Sequence, residues 1–125
     1  MEIGYIGLGA MGGAIAKRLS SSRRLHVFDL NPVAIKELEA IGARAAASPG
    51  ELARSCDVVI TCVPRSADVR QVIFGPNGVA EGLGRVKVVI DQTSGDPNET
   101  RELAKQLATM NVAMMDAPVS GGAKG

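Results

Sequence analysis

The stretch Gly4-Tyr5-Ile6-Gly7-Leu8-Gly9-Ala10-Met11-Gly12 constrains the fold more tightly than any other part of the chain. Apolar residues before Gly7 read as a strand, and the Ala-rich run from Ala10 to about Ser21 reads as a helix. Between them stands G-x-G-x-x-G. Gly7 and Gly9 permit a tight turn and a close approach of backbone to ligand, and Gly12 lets the helix pack near the strand. The helix N-terminus then offers unpaired N–H groups and the positive end of a dipole. A dinucleotide pyrophosphate suits such a junction. An ordinary tight turn carries the same glycines equally well, so the rest of the chain has to discriminate.

That rest alternates strand and helix. Leu25–Asp29 reads as a second strand, followed by Asn31 as N-cap and Pro32 at N1 of a helix to about Ile41, closed by Gly42. Ala43 to Ala46 reads as a short third strand, and Ser48 with Glu51 has capping-box spacing for a helix to Arg54 or Ser55. Asp57–Cys62, Val86–Asp91 and Val112–Asp116 are apolar strands, separated by helices from Ser66 or Asp68 to about Phe74 and from Glu99 to Met110. Continuous apolar strands suit a sheet covered on both faces. The pattern predicts an α/β fold, a right-handed, doubly wound parallel sheet of Rossmann type in one domain over residues 1–125. The chain ends in the glycine-rich Ser120-Gly121-Gly122-Ala123-Lys124-Gly125 with no element after it, so a truncated domain is expected.

Composition removes several classes of function. Two Phe, one Tyr and no Trp, with a net charge of +1 and no basic block, argue against nucleic-acid binding. No apolar run approaches the roughly 20 residues of a membrane span. Cys56 and Cys62 have a spacing that matches no familiar zinc or redox pattern, so buried free thiols in a reducing compartment are expected. The chain is expected to be soluble and cytoplasmic.

In open α/β sheets, ligands bind beyond the carboxyl ends of the strands. The unusual residues gather there: the glycine loop, Asp29, Val63-Pro64, Thr93-Ser94 and Pro118 to Gly122. Asp29 lies 22 residues after Gly7, where a carboxylate accepts hydrogen bonds from ribose hydroxyls and repels a 2′-phosphate. Leu30 and Asn31 supply no cation there, and Arg23 and Arg24 precede the strand, so NAD is favoured over NADP. Asp29 also reads as a plain turn carboxylate. Ser120, Gly121 and Gly122 offer a hydroxyl and flexible N–H groups to a small anion, or form a simple turn. His26 reads as structural, Lys124 as solvated, and Asp57, Asp91 and Asp96 as strand-edge or capping carboxylates. No nucleophile–base pair and no metal-ligand cluster is recognisable.

Taken together, Ile6-Gly7-Leu8-Gly9-Ala10-Met11-Gly12 and the terminal D-A-P-V-S-G-G of Asp116 to Gly122 resemble the β-hydroxyacid dehydrogenase family. That family includes 3-hydroxyisobutyrate dehydrogenase and tartronate semialdehyde reductase. The resemblance implies NAD(P)-dependent interconversion of a β-hydroxyacid and its semialdehyde or keto partner. It places the cofactor against Gly7, Leu8, Gly9, Ala10, Met11, Gly12, Asp29, Leu30, Asn31, Val63, Pro64, Asp68 and Ser94, and the substrate at Ser120, Gly121 and Gly122. Asp68 stands where the family commonly has Asn, while Ile15 and Arg18 replace Met and Asn on the first helix. The family's catalytic Lys and helical dimerisation domain lie after the S-G-G segment. No catalytic residue is therefore expected in this chain, which is expected to bind NAD weakly and not to turn over. Oligomerisation is expected of the full-length protein. Alternatives are an NADP-dependent 6-phosphogluconate dehydrogenase or imine reductase, or a non-enzymatic nucleotide-binding module.

Overall fold

The computed structural model describes residues 1–117. Its strands are β1 (Ile3–Ile6), β2 (Leu25–Phe28), β3 (Arg44–Ala45), β4 (Val58–Thr61), β5 (Val88–Asp91) and β6 (Ala113–Asp116). The helices are α1 (Ala10–Ser20), α2 (Pro32–Glu39), α3 (Pro49–Arg54), α4 (Ser66–Phe74) and α5 (Pro97–Ala108). All strand pairs are parallel, in the order β3-β2-β1-β4-β5-β6. This is the strand order of a doubly wound Rossmann sheet, the fold class predicted from the alternation of elements.

Side chains along each strand alternate between two cores, as the strand period of two requires. Ile6, Val59 and Val89 face Leu52, Val69, Ile73, Leu103 and Leu107 on one side of the sheet. Tyr5, Leu25, Val27 and Ile60 face Ala16 and Leu38 on the other. Helices α3, α4 and α5 thus cover one face, and α1 with α2 the other. On the α1/α2 side, Met115 pairs in register with Ile90 and is 56% exposed.

The helices start where their caps dictate. Asn31 accepts from the Val33 N–H at 3.0 Å, Ser48 from Glu51 at 3.1 Å, and Asp96 from Asn98 at 2.9 Å. Each of those three helices carries Pro at its start, where no N–H is needed. The Asp96 cap moves the start of α5 two residues ahead of the expected Glu99. A short 3₁₀ helix at Val79–Gly82, between α4 and β5, packs against α3. No described helix is long and apolar enough to cross a membrane.

Candidate functional site

Strands β1 and β4 are neighbours, yet the helices that follow them lie on opposite faces of the sheet. The strands stay paired to Ile6 and Thr61, and the connections that leave them diverge to the two faces, which opens a crevice at the switch in strand order. A cavity of about 1010 Å³ occupies it. Twelve of the thirteen residues nominated for the cofactor line this cavity: Gly7, Gly9, Ala10, Met11 and Gly12, then Asp29, Leu30 and Asn31, then Val63, Pro64, Asp68 and Ser94. Leu8 does not. Its side chain is 5% exposed in the core under α1, and only its backbone serves the loop.

The three glycines do different work. Gly7 has φ +101°, and a Cβ there would stand 2.0 Å from the Cys62 carbonyl oxygen. A Cβ on Gly12 would stand 2.0 Å from the Gly7 carbonyl oxygen. Both are demanded by the fold itself. A Cβ on Gly9 would meet no protein atom within 4 Å, so the space above Gly9 is left open beside the cavity. Gly9 is also the N-cap of α1, with no side-chain cap and no acid in the first turn. An uncapped helix start beside an open cradle fits a diphosphate, which would accept from the free N–H groups.

Asp29 ties two loops together. One carboxylate oxygen accepts from the Leu8 N–H at 3.0 Å, and the other from the Asn31 N–H at 3.0 Å. The turn role and the ligand role are compatible, because each oxygen keeps further acceptor capacity. Leu30, 93% exposed, and Asn31 complete this corner.

A buried polar network underlies the opposite wall. Asp91, 2% exposed, accepts from the Thr61 hydroxyl at 2.9 Å and from the Thr93 N–H at 3.0 Å. Thr93 in turn accepts from the Val63 N–H at 3.1 Å, and the Tyr5 hydroxyl donates to Gln92 at 2.6 Å. Asp91 thereby locks the β4 loop to the β5 loop instead of merely ending a strand. Burial pushes the Tyr5 hydroxyl well above the ordinary range, so it stays a donor. Both cysteines are free. Cys56 is buried as expected, and burial pushes its thiol up to about 12. Cys62 is only partly buried and lines the cavity, with its thiol also raised by burial.

Asp68 faces the cavity with its carboxylate already engaged. It accepts from the Arg65 backbone N–H at 3.1 Å and from Arg65 Nε at 3.2 Å. Sequence reasoning passed over Arg65, and also over Ser48, Pro49, Gln71, Pro76 and Asn77 in the same lining. Ser48-Pro49 follows β3 at the carboxyl edge, so the strand-end rule could have found it. Gln71 and Asn77 reach the cavity only through tertiary placement.

The remaining candidates lie elsewhere. His26 Nε2 meets a Glu2 carboxylate oxygen at 2.7 Å, and Asp57 accepts from the Glu2 N–H at 2.7 Å. Among the described residues no group of His, Cys, Asp and Glu is arranged for a metal. Ser120, Gly121 and Gly122 lie outside the described residues.

Residues 2–125 match the NAD binding domain of 6-phosphogluconate dehydrogenase. The chain belongs to this family. It is 39% identical over 121 residues to mitochondrial 3-hydroxyisobutyrate dehydrogenase of Mus musculus, covering 96% of this chain and 36% of that protein. It is 40% identical over 118 residues to 3-sulfolactaldehyde reductase of Escherichia coli, covering 94% and 40%. Among solved structures, Psf3 in complex with NADP+ and 2-OPP aligns with a TM-score of 0.90 at 30% identity, covering 98% of this chain and 44% of that one. This NAD-binding domain therefore has the β-hydroxyacid dehydrogenase kinship expected from its two end motifs. It spans about two fifths of the length of the curated relatives it matches.

Proposed function

We propose that this NAD-binding domain holds NAD(H) in preference to NADP(H), as the cofactor half of a dehydrogenase acting on a small β-hydroxyacid. Asp29 carries the preference. It stands at the end of β2 on the cavity wall, its two oxygens fixed by the Leu8 and Asn31 N–H groups. A carboxylate so held accepts from ribose hydroxyls and repels a 2′-phosphate, and neither Leu30 nor Asn31 brings a cation to offset that repulsion.

A bound nicotinamide would supply the hydride donor or acceptor. This chain's part is to bind and orient. The start of α1 and the open space at Gly9 receive the diphosphate, Asp29 receives the ribose, and the Thr93-braced Val63-Pro64 and Ser94 loops shape the other wall. Ser120, Gly121 and Gly122 would hold the substrate's anionic group. The names of the two curated relatives, a hydroxyacid dehydrogenase and a sulfonated aldehyde reductase, support a small anionic substrate. Among the described cavity residues, Asp29 and Asp68 are both engaged, and neither is offered as the proton donor to a substrate oxygen. The general acid is proposed to lie outside this chain, so residues 1–125 alone bind without turnover.

The NADP+ bound to Psf3 supports the rival reading of an NADP-preferring enzyme. Parallel fluorescence titrations with NADH and NADPH decide between them. NADH is expected to bind about tenfold more tightly; equal or tighter binding of NADPH refutes the Asp29 argument.

A further inference from the structure

We infer that Arg65 is a phosphate-binding residue of this cavity, and that Asp68 is its orienting partner and not itself a cofactor ligand. The inference rests on the proposed reading of the cavity as a dinucleotide site. Arg65 stands between Pro64 and the first turn of α4, and it lines the cavity together with Asp68. Its backbone N–H donates to Asp68 Oδ2 at 3.1 Å. Its Nε donates to the same oxygen at 3.2 Å, and Nη2 donates to Oδ1 at 3.4 Å.

Helix capping explains only part of this arrangement. A cap requires the Asp68 carboxylate and a backbone N–H at position 65, which any residue but proline supplies. The guanidinium is surplus to that role. It has five N–H donors, of which Asp68 engages two along one edge. The other edge keeps its donors in the planar fork that grips phosphate oxygens.

The charge inventory points the same way. Asp29, Asp68 and Arg65 are the charged side chains lining the cavity among the described residues. A dinucleotide brings at least two negative charges into a lining that carries two acids and one base. Among the described residues Arg65 is the one cationic side chain in that lining. Asp68 holds it in place and also offsets part of its charge, so the pair forms an oriented but tempered anion contact.

The test is direct binding of NADH and NADPH to the whole 125-residue chain, compared with Arg65→Ala, Asp68→Asn and the two combined. Each titration is run at low and high salt beside a melting curve without ligand. Because the Arg65 side chain is 75% exposed, the expected loss in Arg65→Ala is moderate, about fivefold to tenfold. It should come with a flatter salt dependence and an unchanged melting temperature. Equal loss for both cofactors assigns Arg65 to the diphosphate; loss confined to NADPH assigns it to the 2′-phosphate. Both support the inference. Asp68→Asn keeps an acceptor for the cap while removing the competing charge, and should tighten binding about twofold. Unchanged affinity and salt slope in Arg65→Ala overturns the inference while leaving the dinucleotide reading intact. A loss from Asp68→Asn that persists undiminished in the Arg65→Ala background overturns the orienting role and makes Asp68 a direct ligand. Failure of the unsubstituted chain to bind either cofactor defeats the dinucleotide reading itself, and this inference with it.

Discussion

Alanine at Gly9 and alanine at Gly12 should separate what the ligand needs from what the fold needs. At Gly12 the new methyl would lie 2.0 Å from the Gly7 carbonyl oxygen and 3.4 Å from Cys62 Cβ. Carbon–oxygen contacts settle near about 3.3 Å or more, so α1 and the β1 loop would have to part by about 1 Å. The obstacle is backbone, which has no rotamer to change. Overpacking of this kind costs about 1–3 kcal/mol, and the upper end applies here. For a domain of this size that amounts to a fall of about 10 °C in Tm.

Gly9 presents the opposite case. Its φ of −65° and ψ of −169° suit any L-residue, and a methyl there meets no protein atom within 4 Å. Alanine is a poorer N-cap than glycine but restricts the unfolded chain, and these effects offset to within about 1 kcal/mol. Melting curves should therefore place Gly9→Ala within about 3 °C of the unsubstituted chain. Fluorescence titration should nonetheless show NADH binding weakened at least about tenfold, because the methyl stands where the diphosphate must approach. Wild-type affinity in Gly9→Ala would refute the assignment of that space to a phosphate. Wild-type Tm in Gly12→Ala would refute the close-packing argument.

Asp91→Ala leaves the Thr61 hydroxyl and the Thr93 N–H without their buried acceptor, and urea titration should show a loss of about 3 kcal/mol. Asp91→Asn, which keeps an acceptor oxygen, should lose less than half as much, and equal losses would refute the network. At the amino edge of the sheet, the His26 hydrogen bond holds the Glu2 carboxyl below its usual 4.5, and the Glu2 N–H holds Asp57 below its usual 3.8. Both folded-state values are depressed, so their stabilisation is present above those values and lost as pH falls through the lower folded ones. The urea midpoint should drop as the medium is acidified below about pH 4.5, and Asp57→Asn should make that drop shallower; an unchanged slope would count against the pairing. With a thiol alkylating reagent, Cys62 should react before Cys56, which is fully buried with its thiol pushed up to about 12. Bound NADH should slow the Cys62 reaction, since Cys62 lines the cavity. Mass spectrometry that finds both sites modified at one rate would contradict that placement.

What the sequence disclosed follows from how far apart the determining atoms lie along the chain. The glycine loop was legible because a strand, a turn and a helix start are all encoded within nine residues, Gly4 to Gly12. Asp29 was legible because a strand end fixes its place relative to the loop. The 3₁₀ helix at Val79–Gly82 was not: a Cβ on Gly82 would stand 2.2 Å from the Gly50 carbonyl oxygen, so α3 shapes that turn from far back in the chain. Asp91 read as an ordinary strand-end acid, and its bracing role exists only because β4 and β5 pair in register, Thr61 beside Asp91. Arg65 is the sharpest case. An arginine three residues before an aspartate at a helix start has the local signature of a solvated capping pair, and the hydrogen bonds agree with that signature. Only the shared cavity wall places that capping pair beside the proposed cofactor site. Strand-end logic thus selects the loops that meet at the site, whereas the donors and acceptors within each loop are chosen by contacts across the sheet. Tests of cofactor choice in this domain accordingly belong at Arg65 and Asp68 as much as at Asp29.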